Sequence, residues 1–171
     1  MKETLKLGII LGIICVVAAF LLAGVDIITK PKILAQTKAE EDLSLREVFK
    51  QADNFEPVIK DNETVYYKAF DKEGKVIGIA FKASAKGYSS VIESLAGVSK
   101  DGKITAIKII SQNETPGLGS RITDKSFTDK FNGVDNLSKI EAITGATISS
   151  RAVINSVNKK FEELKALVNN G

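Results

Sequence analysis

A chain of 171 residues suffices for one modest domain beside a short extension, not for two independent cores. Its net charge of +3 comes from 24 basic and 21 acidic residues that are well mixed, so no basic stripe for nucleic acid is present. With no His, one Cys and Met1 as its only Met, the chain alone lacks ligands for a Cys/His zinc site, an iron–sulfur cluster or an ordinary haem, and lacks a Ser-His-Asp triad.

Any redox or transfer chemistry therefore has to come from a bound organic cofactor. The first element in chain order is residues 7–25, LGIILGIICVVAAFLLAGV, which carry no charge and no strong polar group. As a helix they span roughly 28 Å, close to a hydrocarbon core of about 30 Å. A cleaved signal peptide competes with this reading, but cleavage after Ala23 puts Leu21 where a small residue is needed. Residues 1–28 read as a transmembrane anchor. Lys2 and Lys6 precede the span and Lys30, Lys32 and Lys38 follow it, so the charges leave orientation open. Cys15 lies inside the run behind Ile13 and Ile14, a poor setting for lipid attachment. It reads as a packing or lipid-facing residue.

Residues 29–55 read as a half-exposed helical stalk beginning after Pro31, with Leu43, Val48 and Phe49 among many charges. Residues 56–171 read as the folded domain. TVYYKAF, the polar DKEGK and VIGIAFKAS form one predicted hairpin; SSVIESLAGVS, KDG and KITAIKIIS form another, with Asp101-Gly102 as its turn. DKSFTDKFNG is expected as a short helix ending at Gly133, with Phe127 and Phe131 on one face. Residues 140–143 read as a short apolar strand. A last helix, from about Ser149 to Val168, places Val153, Val157, Phe161, Leu164 and Val168 on one buried face. The expected class is α+β, an antiparallel sheet with flanking helices after one N-terminal transmembrane helix. Asn62 and Asn113 open Asn-Glu-Thr triplets, which are glycan acceptors only in a secretory eukaryotic setting.

Two loops carry candidate chemistry. In NETPGLGSRI, Pro116 biases Thr115 to an extended shape, and Gly117 and Gly119 permit positive φ or close approach to something flat. Leu118 projects from between them. A plain surface turn is the bland alternative. In ITGATISSRAV, the small residues Thr144, Gly145, Ala146 and Thr147 lead into the last helix, whose N-terminus favours an anion. Here the alternatives are a helix cap by Thr147 or Ser149, or a hydroxyl that holds a phosphorylated cofactor.

These two motifs, in this order after one N-terminal span, resemble RnfG, the FMN-binding component of the Rnf ion-translocating electron-transport complex. The segment AKGYSSVIESLAGVSKDGKITAIKII strengthens the resemblance, which covers most of residues 85–157. The related NqrC, a component of the sodium-pumping NADH:quinone reductase, shares the domain and both motifs in a longer protein. The resemblance implies FMN bound covalently, its phosphate esterified to the hydroxyl of Thr147. Thr144, Gly145 and Ala146 would form the turn and Ile148 would follow it. Glu114, Thr115, Gly117, Leu118 and Gly119 match the loop that lies against the flavin ring. Where the attachment motif usually has Asp, this chain has Glu141.

By the same resemblance, the protein is a non-catalytic electron-transfer component of a membrane-bound ferredoxin:NAD⁺ oxidoreductase. Its implied partners are the A, B, C, D and E components of the Rnf complex, a flavin transferase that uses FAD and a divalent metal, and membrane lipid, with no nucleic acid. The FMN domain would lie on the extracytoplasmic side of the cell membrane. The alternatives are an NqrC-like protein and a tethered binding or assembly module without redox function.

Overall fold

The structure, a computed structural model, describes residues 2–60 and 63–168, without the side chains of residues 2–5, 31, 34, 35 and 166–168. Asn62 and the side chain of Val168, expected in the core, lie outside what is described. One helix, α1 (Lys2–Val48), opens the chain. It runs through Pro31 rather than starting anew behind it. The chain divides into two compact units, one up to Glu41 and one from Asp42 onward. In the first, Lys6–Lys30 is long and apolar enough to cross a membrane and has no buried side chain.

The second unit is built on a five-stranded antiparallel sheet in which every strand lies beside its neighbour in sequence. Its strands are β1 (Asn54–Lys60), β2 (Glu63–Phe70), β3 (Val76–Lys86), β4 (Val91–Ser99) and β5 (Ile104–Ser111). Both expected hairpins are present, as β2–β3 and β4–β5. The Asp71 carboxylate ties the first turn by accepting from the N–H groups of Glu73 and Lys75. In the second turn Gly102 adopts φ 71°. Strand β1 has no counterpart among the elements expected from sequence. It carries Pro57, which a sheet admits at an edge, where the missing N–H leaves no gap in a ladder.

Alternation along β3 sorts the core into two layers. Ile79, Phe81 and Ala83 join Val153, Val157, Phe161 and Leu164 of the last helix, α3 (Thr147–Val168), in the main cluster. Ala80, from the opposite side of the same strand, clusters with Leu45, Val48, Tyr67 and Leu95. The end of α1 and the residues after it thus pack on one face of the sheet and α3 on the other. Leu43 stays exposed, while Val48 and Phe49 are buried. Each large apolar side chain fully withdrawn from water contributes about 1.5–3 kcal/mol.

Between β5 and α3 the chain forms short turns rather than a regular helix. The expected helix around Phe127 is one α-turn, α2 (Lys125–Thr128), followed by a 3-10 turn at Asp129–Phe131. It ends near Gly133 at φ 75°, with the two phenylalanine rings edge to face at 5.4 Å. Residues 140–143 are not a strand: they pair with no sheet edge and run irregularly after a 3-10 turn at Leu137–Lys139. Ile140 is buried in the main core there without any ladder. Helix α3 begins at Thr147, two residues earlier than expected.

Candidate functional site

Three segments distant in sequence meet at the first turn of α3. They are the bend 87–90 between β3 and β4, the loop 113–119 after β5, and the turn 143–150. Their junction is the carboxylate of Glu114, which is only 5% exposed. Its Oε1 accepts from the N–H groups of Ser89 at 3.0 Å and Ser90 at 2.9 Å. Its Oε2 accepts from the N–H of Tyr88 at 3.1 Å and the hydroxyl of Ser149 at 2.5 Å. The Ser90 hydroxyl in turn accepts from the N–H of Asn113 at 2.7 Å.

Burial alone would raise the pKa of Glu114. The Ser149 hydroxyl and the N–H groups of Ser90, Ser89 and Tyr88 outweigh it and bring the pKa down to about 2. The group is ionised at neutral pH, yet its lone pairs are occupied by donors. It acts as a brace, not as a base. The packing around it is close: a Cβ on Gly119 would stand 2.8 Å from both Glu114 Oε2 and Ser149 Oγ.

The turn before α3 is held from within. The hydroxyl of the buried Ser150 accepts from the N–H of Ile143 at 3.0 Å and donates to the carbonyl of Ala146 at 2.8 Å. Gly145 sits at φ 82°, a conformation that side chains other than Asn and Asp rarely adopt. Neither expected cap is made. Ser149 donates to Glu114, and the exposed Thr147 hydroxyl makes no hydrogen bond among the described residues. Thr147, Ile148 and Ser149 occupy the first turn, where backbone N–H groups have no intrahelical acceptor.

The three segments enclose an open cleft of about 390 Å³, within the usual range for small-molecule sites. It is lined by Tyr88, by Glu114, Thr115, Leu118 and Gly119, and by the run from Gly145 to Ser149. Thr144 and Gly117 shape their loops without lining it. Sequence reasoning misses Tyr88 as a wall and Ser149 as a partner of Glu114, and it misses Ser89 and Ser90 beneath them. The available signal is the small-residue run after Gly87. Apolar surface from Tyr88, Leu118 and Ile148 rims the cleft, and at the helix end stand first-turn N–H groups and a Thr147 hydroxyl that make no hydrogen bond among the described residues. That donor set suits a ligand with an anionic group at one end and a flat apolar ring at the other, as FMN is.

Comparison with known proteins agrees with this chemistry. The FMN-binding domain family matches residues 87–162, and the RnfG N-terminal region matches residues 1–48. The chain is 32% identical to the G component of the ion-translocating oxidoreductase complex of Methanosarcina acetivorans, over 96% of each chain. It is 34% identical to the G component of the proton-translocating ferredoxin:NAD(+) oxidoreductase complex of Clostridium ljungdahlii, over 90% of this chain and 88% of that one. Its fold is similar to that of the C component of the Na(+)-translocating NADH-quinone reductase of Parabacteroides distasonis, at a TM-score of 0.50 and 19% identity. That match covers 61% of this chain and 62% of the other. With relatives of this identity along nearly its whole length, the chain belongs to the RnfG family of ion-translocating oxidoreductase components and carries that family's FMN-binding domain.

Proposed function

We propose that this protein is the electron-carrying subunit of a membrane-bound ferredoxin:NAD⁺ oxidoreductase that couples electron flow to ion export, with FMN esterified through its phosphate to Thr147. The observation that carries the reading is the state of Thr147. Its hydroxyl is exposed and free of hydrogen bonds among the described residues, in the cleft between the two glycine loops, at the end of a helix whose first N–H groups have no intrahelical acceptor.

Attachment by a flavin transferase replaces the hydroxyl proton of Thr147 with the FMN phosphoryl group of FAD, releasing AMP. The product keeps a negative charge, which the α3 N-terminus stabilises by about 0.3–1 kcal/mol. The N–H groups of Thr147, Ile148 and Ser149 are the donors at hand for phosphate oxygens. Bound FMN supplies one-electron acceptance and donation. Leu118 and Ile148 supply apolar walls, and Thr115 and Gly119 supply backbone close to the ring. Glu114 keeps these walls in register.

Helix α1 anchors the protein in the membrane, and the FMN domain is assigned to the outer face. A covalent link suits that compartment, because a cofactor held by an ester is not lost by dissociation. The other components of the complex are its electron donor and acceptor.

The test is intact mass and in-gel flavin fluorescence of the denatured full-length protein, produced together with a flavin transferase. The expected result is a mass raised by one FMN less one water, with fluorescence abolished in Thr147→Ala. A fluorescent Thr147→Ala band, or native membrane protein of unmodified mass, overturns the attachment.

A further inference from the structure

The bend between β3 and β4 presents a large aromatic residue that the fold does not use. Tyr88 is 70% exposed, and its phenol makes no hydrogen bond among the described residues. A single exposed aromatic is unremarkable. This one differs because its backbone is fixed. The N–H groups of Tyr88, Ser89 and Ser90 all donate to Glu114, and the N–H of Gly87 donates to the carbonyl of Ser90 at 2.8 Å. The same carboxylate receives the Ser149 hydroxyl, so residue 88 is tied to the first turn of α3 through one buried group. Tyr88 lines the cleft that holds Thr147, together with Leu118, 51% exposed, and Ile148, 57% exposed. Three large apolar side chains, each from a different segment and each left in solvent, converge on one concavity.

We infer that Tyr88 is a cofactor-contacting residue: its ring is the aromatic wall against which the flat ring of FMN tethered at Thr147 packs. This rests on the Thr147 reading. Flat aromatic systems prefer offset stacking or edge-to-face contact over exposure to water. A rigid backbone with an unpartnered ring delivers that contact without ordering a loop on binding. Tyr88 is thus a binding residue, and the Glu114 carboxylate holds it in place together with Ser149.

The experiment uses full-length, detergent-solubilised protein co-produced with a flavin transferase, as wild type, Tyr88→Phe and Tyr88→Leu. Intact mass gives the extent of attachment, and the readouts are flavin emission yield, anisotropy and quenching by iodide. A phenol in contact with an excited flavin quenches it by lending an electron that returns within the same contact. Tyr88→Phe keeps a stacked ring but not an easily oxidised one, so it is expected to be several-fold brighter with unchanged anisotropy. Tyr88→Leu is expected to be brighter, less anisotropic and more open to iodide. Full attachment in all three with the same emission and iodide access overturns the role of Tyr88 and leaves the attachment standing. A wild type of unmodified mass overturns both. Residue 88 is exposed, so circular dichroism is expected to show all three equally folded.

Discussion

The hydroxyl of Ser149 and the carboxylate of Glu114 lie 2.5 Å apart although 35 residues separate them along the chain. The bond joins the first turn of α3 to the loop after β5, and the same carboxylate holds the bend at residues 88–90. One ionised group therefore sets the spacing of all three cleft walls. Such a group is a liability once it is protonated.

Glu114→Gln is expected to destabilise the protein in a pH-dependent way. The folded pKa of about 2 lies below the ordinary value of 4.5. Ionisation therefore favours the folded state, on the order of 3 kcal/mol in full. That increment is fully present above about pH 4.5, declines as pH falls below it and is gone below about pH 2. In Gln, one side-chain N–H₂ faces donors instead of accepting from them. Urea unfolding of the solubilised protein, followed by circular dichroism because the chain has no Trp, should show a stability gap at pH 7 that closes towards pH 2. A gap of the same size at both ends would remove the brace from the account.

Gly119 and Gly117 are expected to fail for different reasons. Gly119 has no positive φ, but an added Cβ would meet Glu114 and Ser149 at 2.8 Å. Overpacking of this kind costs about 1–3 kcal/mol. Gly117 has open space around it and φ 74°. Ala there costs about 1–2 kcal/mol through the left-handed backbone alone, whereas Asn tolerates that region. Thermal unfolding should rank Gly117→Asn nearest wild type, then Gly117→Ala, then Gly119→Ala. Gly119→Ala melting with wild type would mean that the Glu114 pocket has slack.

The legible parts of this chain are those with local patterns. Alternation and an Asp-Gly step mark the β4–β5 hairpin, and a helical period marks Val153, Val157, Phe161 and Leu164. Proline and glycine spacing marks one loop, and a run of small residues marks the other. Strand β1 escapes because Pro57 and its charged neighbours weaken the strand signal at a sheet edge. The strand expected at residues 140–143 has the right composition but no edge to pair with, and composition says nothing about partners. Tyr88 and Ser149 reach the cleft through a carboxylate far away in sequence. No window of local sequence contains that relationship.

Stability and site are expected to separate cleanly between Phe161 and Leu118. Phe161 is 1% exposed in the main core, where α3 packs on the sheet. Truncation to Ala removes a buried ring and leaves a cavity, a loss of about 3–5 kcal/mol. Leu118 is 51% exposed at the rim of the cleft, so Leu118→Ala should stay within about 0.5 kcal/mol of wild type. Both variants retain Thr147, but they should affect the flavin differently. Folded Phe161→Ala molecules should hold it with wild-type emission, because no cleft-lining side chain has changed. Leu118→Ala, as stable as wild type, should show greater access of iodide to the ring. Chemical unfolding and iodide quenching on the same preparations check both halves. Should Leu118→Ala lose stability as Phe161→Ala does, its side chain belongs to the core and not to the cofactor wall.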